Sequence, residues 1–243
     1  MNKIPYVICS SDRYSDLWSI HLHQLSLYSD ISNFEIYIIC NRSTVTLPDC
    51  TIINTGDDIS WSNMLRIGLE SVPFSCILLT LDDFLIFNTV NTRAIRLAYD
   101  TISYSSNIDS IRIIPRPPGS CDYSDDYTRL NHDEKYIFSL QATLWKKDYL
   151  SSFLFGDFSP WAFERLSPTR SSSNLHLCSK TDYLGYSHHS VQRGKWFPWV
   201  YYHLFISKHK ILFTNTRPIM NPIETLIWFL HKYFSLLKSM VFN

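Results

Sequence analysis

The stretch Ser75-Cys-Ile-Leu-Leu-Thr-Leu-Asp82-Asp83-Phe84 is an apolar run that ends abruptly in two acids. Five of the six residues from Cys76 to Leu81 are apolar, the pattern of a strand covered on both faces in a mostly parallel sheet. Such sheets bind ligands beyond the carboxyl ends of their strands, and Asp82 and Asp83 fall there. Adjacent carboxylates repel and are costly to bury unpaired, so a cation, a sugar hydroxyl or a neighbouring base is expected beside them. A helix N-cap followed by a solvated acid is the alternative reading of the pair.

Upstream of this strand, strand and helix signals alternate. Strands are expected at Tyr6–Ser10, Glu35–Cys40 and Thr51–Asn54, and a helix over Ser15–Ser29 with apolar residues at 17, 20, 25 and 28. Ser60 can cap a helix whose inner face is Trp61, Met64, Leu65, Gly68 and Leu69. Downstream, a helix around Thr92–Ile102 leads to a strand at Ser110–Ile114, stopped by Pro115. This order implies parallel pairing through right-handed crossovers, hence a Rossmann-like α/β half.

The regularity then fails. Residues 116–135, rich in Pro, Gly, Ser, Asp and Tyr, read as a surface loop bordering a site. A strand is expected at Tyr136–Leu140 and a helix at Lys146–Phe155. Ser159-Pro160 makes an N-cap and first-turn pair for a helix carrying Trp161, Phe163 and Glu164. Residues 167–174 form a polar connector, and no internal repeat is evident.

Twenty-two Lys and Arg balance twenty-two Asp and Glu, which argues against a nucleic-acid partner attracted by net charge. The six cysteines have no C-x-x-C spacing, and three lie in apolar, strand-like runs. That pattern fits a reduced, cytoplasmic protein without structural zinc. The first residues open into a short strand rather than a secretion signal. No uninterrupted run of about 18 apolar residues is present, so no spanning helix is expected.

Five segments carry a resemblance. They are Trp61-Ser-Asn-Met-Leu-Arg-Ile-Gly-Leu, Leu81-Asp82-Asp83-Phe84, Ser139-Leu-Gln141-Ala-Thr-Leu-Trp145-Lys-Lys, Ser159-Pro-Trp161-Ala-Phe-Glu164, and Arg193-Gly194-Lys195-Trp196. In this order, over residues 5 to 200, the chain resembles the nucleotide-sugar glycosyltransferases of the GT-A fold, and more narrowly the small bacterial enzymes of capsule and lipopolysaccharide synthesis. The resemblance implies a single GT-A-like catalytic domain over 1–217, with a nucleotide-binding half at 1–115 and an acceptor half at 116–217. Residues 218–243 would follow as a C-terminal helix.

The resemblance also implies roles. The acid motif of that fold, usually Asp-x-Asp, holds the donor ribose and a divalent metal on the diphosphate. Carried over, Asp82 contacts the ribose or sugar and Asp83 binds Mn or Mg, hard cations suited to phosphate oxygens. Leu81 stands where the first acid of a three-residue motif would be, which departs from the family pattern. Transfer builds negative charge on the leaving diphosphate. Arg193 and Lys195, on either side of Gly194, are candidates to clamp it.

Glu164 is the candidate general base for an inverting transfer, with Trp161 three residues earlier on the same helical face to stack on a sugar ring. Its bland alternative is an ion pair on a surface helix. Ser10 and Asp12 after the first strand, and Asp57 after the third, are candidates to grip the nucleoside, or else caps. Gln141 is a candidate to orient acceptor or donor, and one of His188 and His189 to reach the metal. The expected partners are therefore a nucleotide-sugar donor and a glycan or lipid-linked acceptor. The competing class is a non-catalytic, membrane-associated binding partner that retains the fold.

The C-terminal segment reads as an amphipathic helix. Asn221 caps it, Pro222 opens it and Glu224 completes a near capping box. Glu224, Thr225, His231, Lys232, Ser235, Lys238 and Ser239 share one side, while aromatic and aliphatic residues cover most of the rest. A helix at 222–242 lying on the inner face of the cytoplasmic membrane is expected. A helix docked on the catalytic domain or on a second subunit is the alternative.

Overall fold

The computed structural model describes residues 3–57, 59–131, 134, 136–166, 174–207 and 216–241, without the side chains of 232 and 235–241. The chain forms two compact units, Met1–Tyr186 and Ser187–Asn243.

In the first unit, β1 (Ile4–Cys9), α1 (Ser15–Tyr28), β2 (Phe34–Cys40), β3 (Cys50–Asn54), α2 (Trp61–Glu70), β4 (Cys76–Leu81), α3 (Thr92–Tyr104) and β5 (Ile108–Arg112) follow the expected order. Beyond them lie β6 (Cys121–Asp122), β7 (Tyr127–Leu130), β8 (Thr143–Lys146), α4 (Lys147–Ser151), α5 (Pro160–Phe163) and β9 (Leu175–Ser179). The sheet runs β3-β2-β1-β4-β8-β5-β9-β7-β6. β1 pairs in parallel with β2 and β4, and β2 with β3.

Alternation along β1 explains the layering. Ile4, Tyr6 and Ile8 point into one core, shared with Trp18 and Leu22 of α1 and Ile95 and Ala98 of α3. Val7 and Cys9 point into the other, against Met64, Leu65 and Leu69 of α2, Leu150 of α4 and Phe163 of α5. Both faces are covered, as an all-apolar central strand requires. α2 begins as expected: Ser60 Oγ accepts from the Asn63 amide at 3.3 Å.

At Gly68 the packing leaves no room for a side chain. A Cβ there would lie 2.3 Å from Cγ2 of the fully buried Ile39, an atom too close to its own backbone to swing away. Gly68→Ala gains about 1 kcal/mol in helix propensity but overpacks the core by about 1–3 kcal/mol. A net loss of up to about 2 kcal/mol is expected, read as a lower urea midpoint at unchanged slope.

Three expectations need correction. Tyr136–Leu140 is not a strand: Ile137, Phe138 and Leu140 are buried, but they reach the core from an irregular segment. The apolar run that pairs is the next one, β8, which enters antiparallel between β4 and β5. β4 and β5 are therefore not neighbours, although a plain strand-helix-strand reading makes them so. Second, the region 116–135 contains β6 and β7, an antiparallel pair that joins the sheet through β9. They are two and four residues long, and β6, at the sheet edge, is exposed at both positions, since very short strands are a common way to end a sheet. Third, the helix expected at Lys146–Phe155 is limited to α4. Of the polar connector 167–174, only Asn174 is among the described residues.

The second unit contains a hairpin, β10 (Val191–Gln192) with β11 (Lys195–Trp196), then α6 (Pro198–Tyr201), a π-helical turn at Tyr202–Ile206, and α7 (Pro222–Val241). Arg193 and Gly194 form the hairpin turn with φ of 50° and 78°, the pair of positive values that a type I′ turn needs. α7 has the expected capping box. The Glu224 amide donates to Asn221 Oδ1 at 2.8 Å, and the Asn221 amide donates to Glu224 Oε2 at 2.9 Å.

Candidate active site

The strand order places a topological switch between β1 and β4: the chain builds β2 and β3 on one side of β1, then returns to lay β4 on the other. Crevices at such points are the usual ligand sites of open α/β sheets. Cys9 is level with Leu81 in the register, so Ser10 and Asp82 leave the sheet side by side. The two acids occupy the centre of a turn closed by the Phe84 amide on the Leu81 carbonyl at 3.3 Å.

Buried hydrogen bonds hold this turn. Ser10 Oγ donates a short hydrogen bond to Asp82 Oδ2, and Trp18 Nε1 donates to Ser10 Oγ at 2.6 Å. Behind the turn, Nδ1 of the fully buried His21 lies 3.2 Å from the Asp82 carbonyl, and its Nε2 lies 2.9 Å from the Tyr6 hydroxyl. Burial pushes His21 down to about 4, against the opposing pull of the Asp82 carbonyl. A neutral ring donates from Nδ1 to that carbonyl and accepts from Tyr6. Asp82 is thus buried and oriented, while Asp83 is half-buried. Neither is simply a solvated acid beside a helix cap.

The segment after the acids is fixed as well. The amides of Phe87 and Asn88 donate to the Gly185 carbonyl, at 3.0 and 3.2 Å. Phe84 stacks on Tyr186, with ring centroids 4.5 Å apart and planes at 17°. The Tyr186 hydroxyl donates to Gln141 Oε1 at 2.6 Å and accepts from the Ala142 amide at 3.3 Å. Gln141 is therefore joined to the acid turn through one aromatic stack. Tyr186 was not among the sequence candidates.

Glu164 closes α5. Its Oε1 accepts the Leu140 amide at 2.9 Å, one residue from Gln141. Burial raises its carboxyl, and the Leu140 amide, Arg112 and Ser139 pull it back in part. Arg112 is only 1 % exposed and spans the neighbouring loops, donating to the Pro117 carbonyl at 2.6 Å and the Tyr136 carbonyl at 2.5 Å. Arg112 was not among the sequence candidates; a charged residue inside the strand expected at Ser110–Ile114 is the signal that could have found it.

Trp161, on the same short helix as Glu164, is 73 % exposed. Ser159 caps that helix by accepting the Ala162 amide at 3.2 Å. The loop before it is tied to α2, where Ser62 donates to the Gly156 carbonyl at 2.6 Å and accepts from the Phe158 amide at 2.9 Å. The Trp61 and Phe163 rings meet at 5.5 Å. The Trp61 and Pro-Trp-x-x-Glu segments are thus one packed assembly.

Other candidates are placed differently. Asp12 is exposed in the turn after β1, where its charge raises the thiol of Cys40 as a minor addition to burial. Asp57 is exposed and pairs with Arg42 at 2.9 Å, between the loops after β2 and β3. Arg193, Lys195, His188 and His189 belong to the second unit. There Lys195 Nζ donates to Glu224 Oε1, Arg193 is exposed in its turn, and the His189 ring packs edge-on against Trp228.

Among the described residues no three His, Cys, Asp or Glu side chains gather as a metal cluster. Asp83 supplies one hard carboxylate at the switch point. That donor set suits a cation carried on a diphosphate, whose remaining ligands are phosphate oxygens and water, and it does not suit a protein-caged zinc.

No family model matches the sequence, and no curated protein matches it. Solved structures do. Fragment 1–349 of S. aureus TarS aligns with a TM-score of 0.51 at 12% identity, over 75% of this chain and 59% of that one. The same fragment in complex with UDP gives 0.50 at 13%, over 74% and 59%. In complex with UDP-GlcNAc it gives 0.51 at 13%, over 74% and 57%. The chain thus spans less than two thirds of the TarS fragment, and at such identity the likeness is one of fold: a Rossmann-like, GT-A-like α/β sheet flanked by helices.

Proposed function

We propose that this chain transfers a sugar from a nucleotide diphosphate to a hydroxyl of a carbohydrate or lipid-linked glycan, with inversion, in bacterial surface polysaccharide synthesis. The observation that carries the reading is the acid turn at the switch point, with Ser10 on one side and the Phe84–Tyr186–Gln141 stack on the other. TarS, whose fold is similar, has been solved in complex with UDP and with UDP-GlcNAc.

In this reading Asp82, fixed by Ser10, meets the donor's ribose or sugar, and Ser10, Asp12 and Asp57 border the nucleoside. Asp83 would hold Mn or Mg, which when bound stabilises charge on the leaving diphosphate. The acceptor hydroxyl, positioned by Gln141 and Trp161, attacks the anomeric carbon as the bond to the diphosphate breaks. Glu164 takes its proton, a role that a raised carboxyl suits.

Calorimetry tests donor binding. UDP is expected to bind the purified protein more tightly with Mn than in chelator, and Asp82→Asn to weaken binding about tenfold or more, the loss of a charge-assisted contact of about 1.5–3 kcal/mol. A folded protein that binds no nucleoside diphosphate under any of these conditions would make it a binding partner that has lost the chemistry.

A further inference from the structure

The balanced net charge conceals an uneven distribution. Residues 187–243 contain seven Lys and Arg and one acid, Glu224, whereas residues 1–186 contain fifteen bases and twenty-one acids. A unit with six positive charges in excess is joined to one with six negative charges in excess.

Within the basic unit, the described side chains of α7 anchor it along one flank. Glu224 accepts from Lys195. One turn later Trp228 packs edge-on against Phe197, with centroids at 5.1 Å, and against His189 at 4.7 Å. The other flank is apolar and open: Ile223, Leu226, Ile227, Leu230, Tyr233 and Phe234 are all between 45% and 70% exposed. Their spacing of three and four residues draws one continuous stripe along the helix. Trp199, Tyr202 and Ile206, in α6 and the turn after it, are exposed too.

We propose that residues 187–243 are a lipid-docking unit that seats the protein on an anionic bilayer surface. The apolar stripe of α7 enters the boundary between headgroups and acyl chains, and the unit's excess of positive charge draws it to lipid phosphates. Charge decides between possible occupants of the stripe. A second copy that meets the stripe through its own residues 187–243 brings the same excess of positive charge and is repelled, whereas an anionic surface attracts it. A nucleic acid satisfies the charge but leaves the aliphatic stripe in water. No described helix is long and apolar enough to cross a membrane, so the unit lies on the surface. This inference is independent of the sugar-transfer reading.

Flotation of the full chain with vesicles tests it. Binding is expected to vesicles of phosphatidylcholine mixed with phosphatidylglycerol, to weaken as salt is raised, and to be at least about tenfold weaker to phosphatidylcholine alone. The variant Leu226→Ser, Leu230→Ser, Phe234→Ser changes exposed residues and should keep the native circular dichroism while losing binding about tenfold or more. Lys232→Glu with Lys238→Glu, whose side chains lie outside the described residues, should lose the preference for anionic lipid. Equal binding of the wild type to both vesicles, or unchanged binding by the serine variant, would overturn the proposal. So would a wild type that fails to float and sediments as a dimer, with the serine variant monomeric; that result would assign the stripe to a second copy.

Discussion

Asp83→Asn is expected to lower turnover by about two orders of magnitude or more while leaving the fold intact. Each factor of ten corresponds to about 1.4 kcal/mol of barrier, and charge stabilisation of a leaving diphosphate is the kind of contribution that reaches several kcal/mol. The fold should survive because Asn has the size and shape of Asp, Asp83 is half-buried, and the Ser10 and His21 bonds that hold Asp82 are unchanged by the substitution. The check is steady-state kinetics across a Mn titration beside a thermal melt. Wild-type turnover by Asp83→Asn in chelator would remove the metal from the account.

Glu164→Gln is expected to lower kcat by about 10²–10⁴-fold with donor affinity nearly unchanged. Gln keeps an oxygen to accept the Leu140 amide, so the 139–141 segment should hold its place and only the base is lost. The wild-type rate should fall on the acid side of a point above the ordinary glutamate range, because burial raises this carboxyl and only its ionised form accepts a proton. The variant should lack that limb. Stability moves the other way. A carboxyl raised in the folded state is most favourable to folding below its unfolded value, and that advantage fades as pH rises through the folded value. Glu164→Gln should therefore be no less stable than wild type at neutral pH. Loss of donor affinity together with rate would make Glu164 a binding residue.

The nucleotide-side elements were legible because they are local. An apolar strand, a Ser cap and a 3.6-residue apolar face each announce themselves within about ten residues, and β1 to β4 with α1 to α3 lie close to where the pattern puts them. The second half depends on long-range pairing. Nothing within Thr143–Lys146 says that it inserts antiparallel between β4 and β5, and the apolar run just before it, Ile137 to Leu140, reads equally well as a strand.

The site divides in the same way. Asp82 and Asp83 are marked by their place at a strand end, and Trp161 and Glu164 by their capped helix. The supports of the acid turn, His21, Trp18 and Tyr186, resemble ordinary core residues in sequence, since a buried histidine or tyrosine has no local signature. The basic character of residues 187–243 was in plain view but cancelled in the total for the whole chain.

The most direct test of the central claim is a product analysis. The purified chain is incubated with radiolabelled UDP-, GDP- and CMP-sugars, Mn, and bacterial polysaccharide and glycolipid fractions as acceptors. Covalent label is expected in an acceptor from one donor class, with release of the matching nucleotide, and is expected to drop by about two orders of magnitude or more with Asp83→Asn and with Glu164→Gln. Label transferred equally by the wild type and both variants, or a folded wild type that binds none of the donors and transfers none of them, would contradict it.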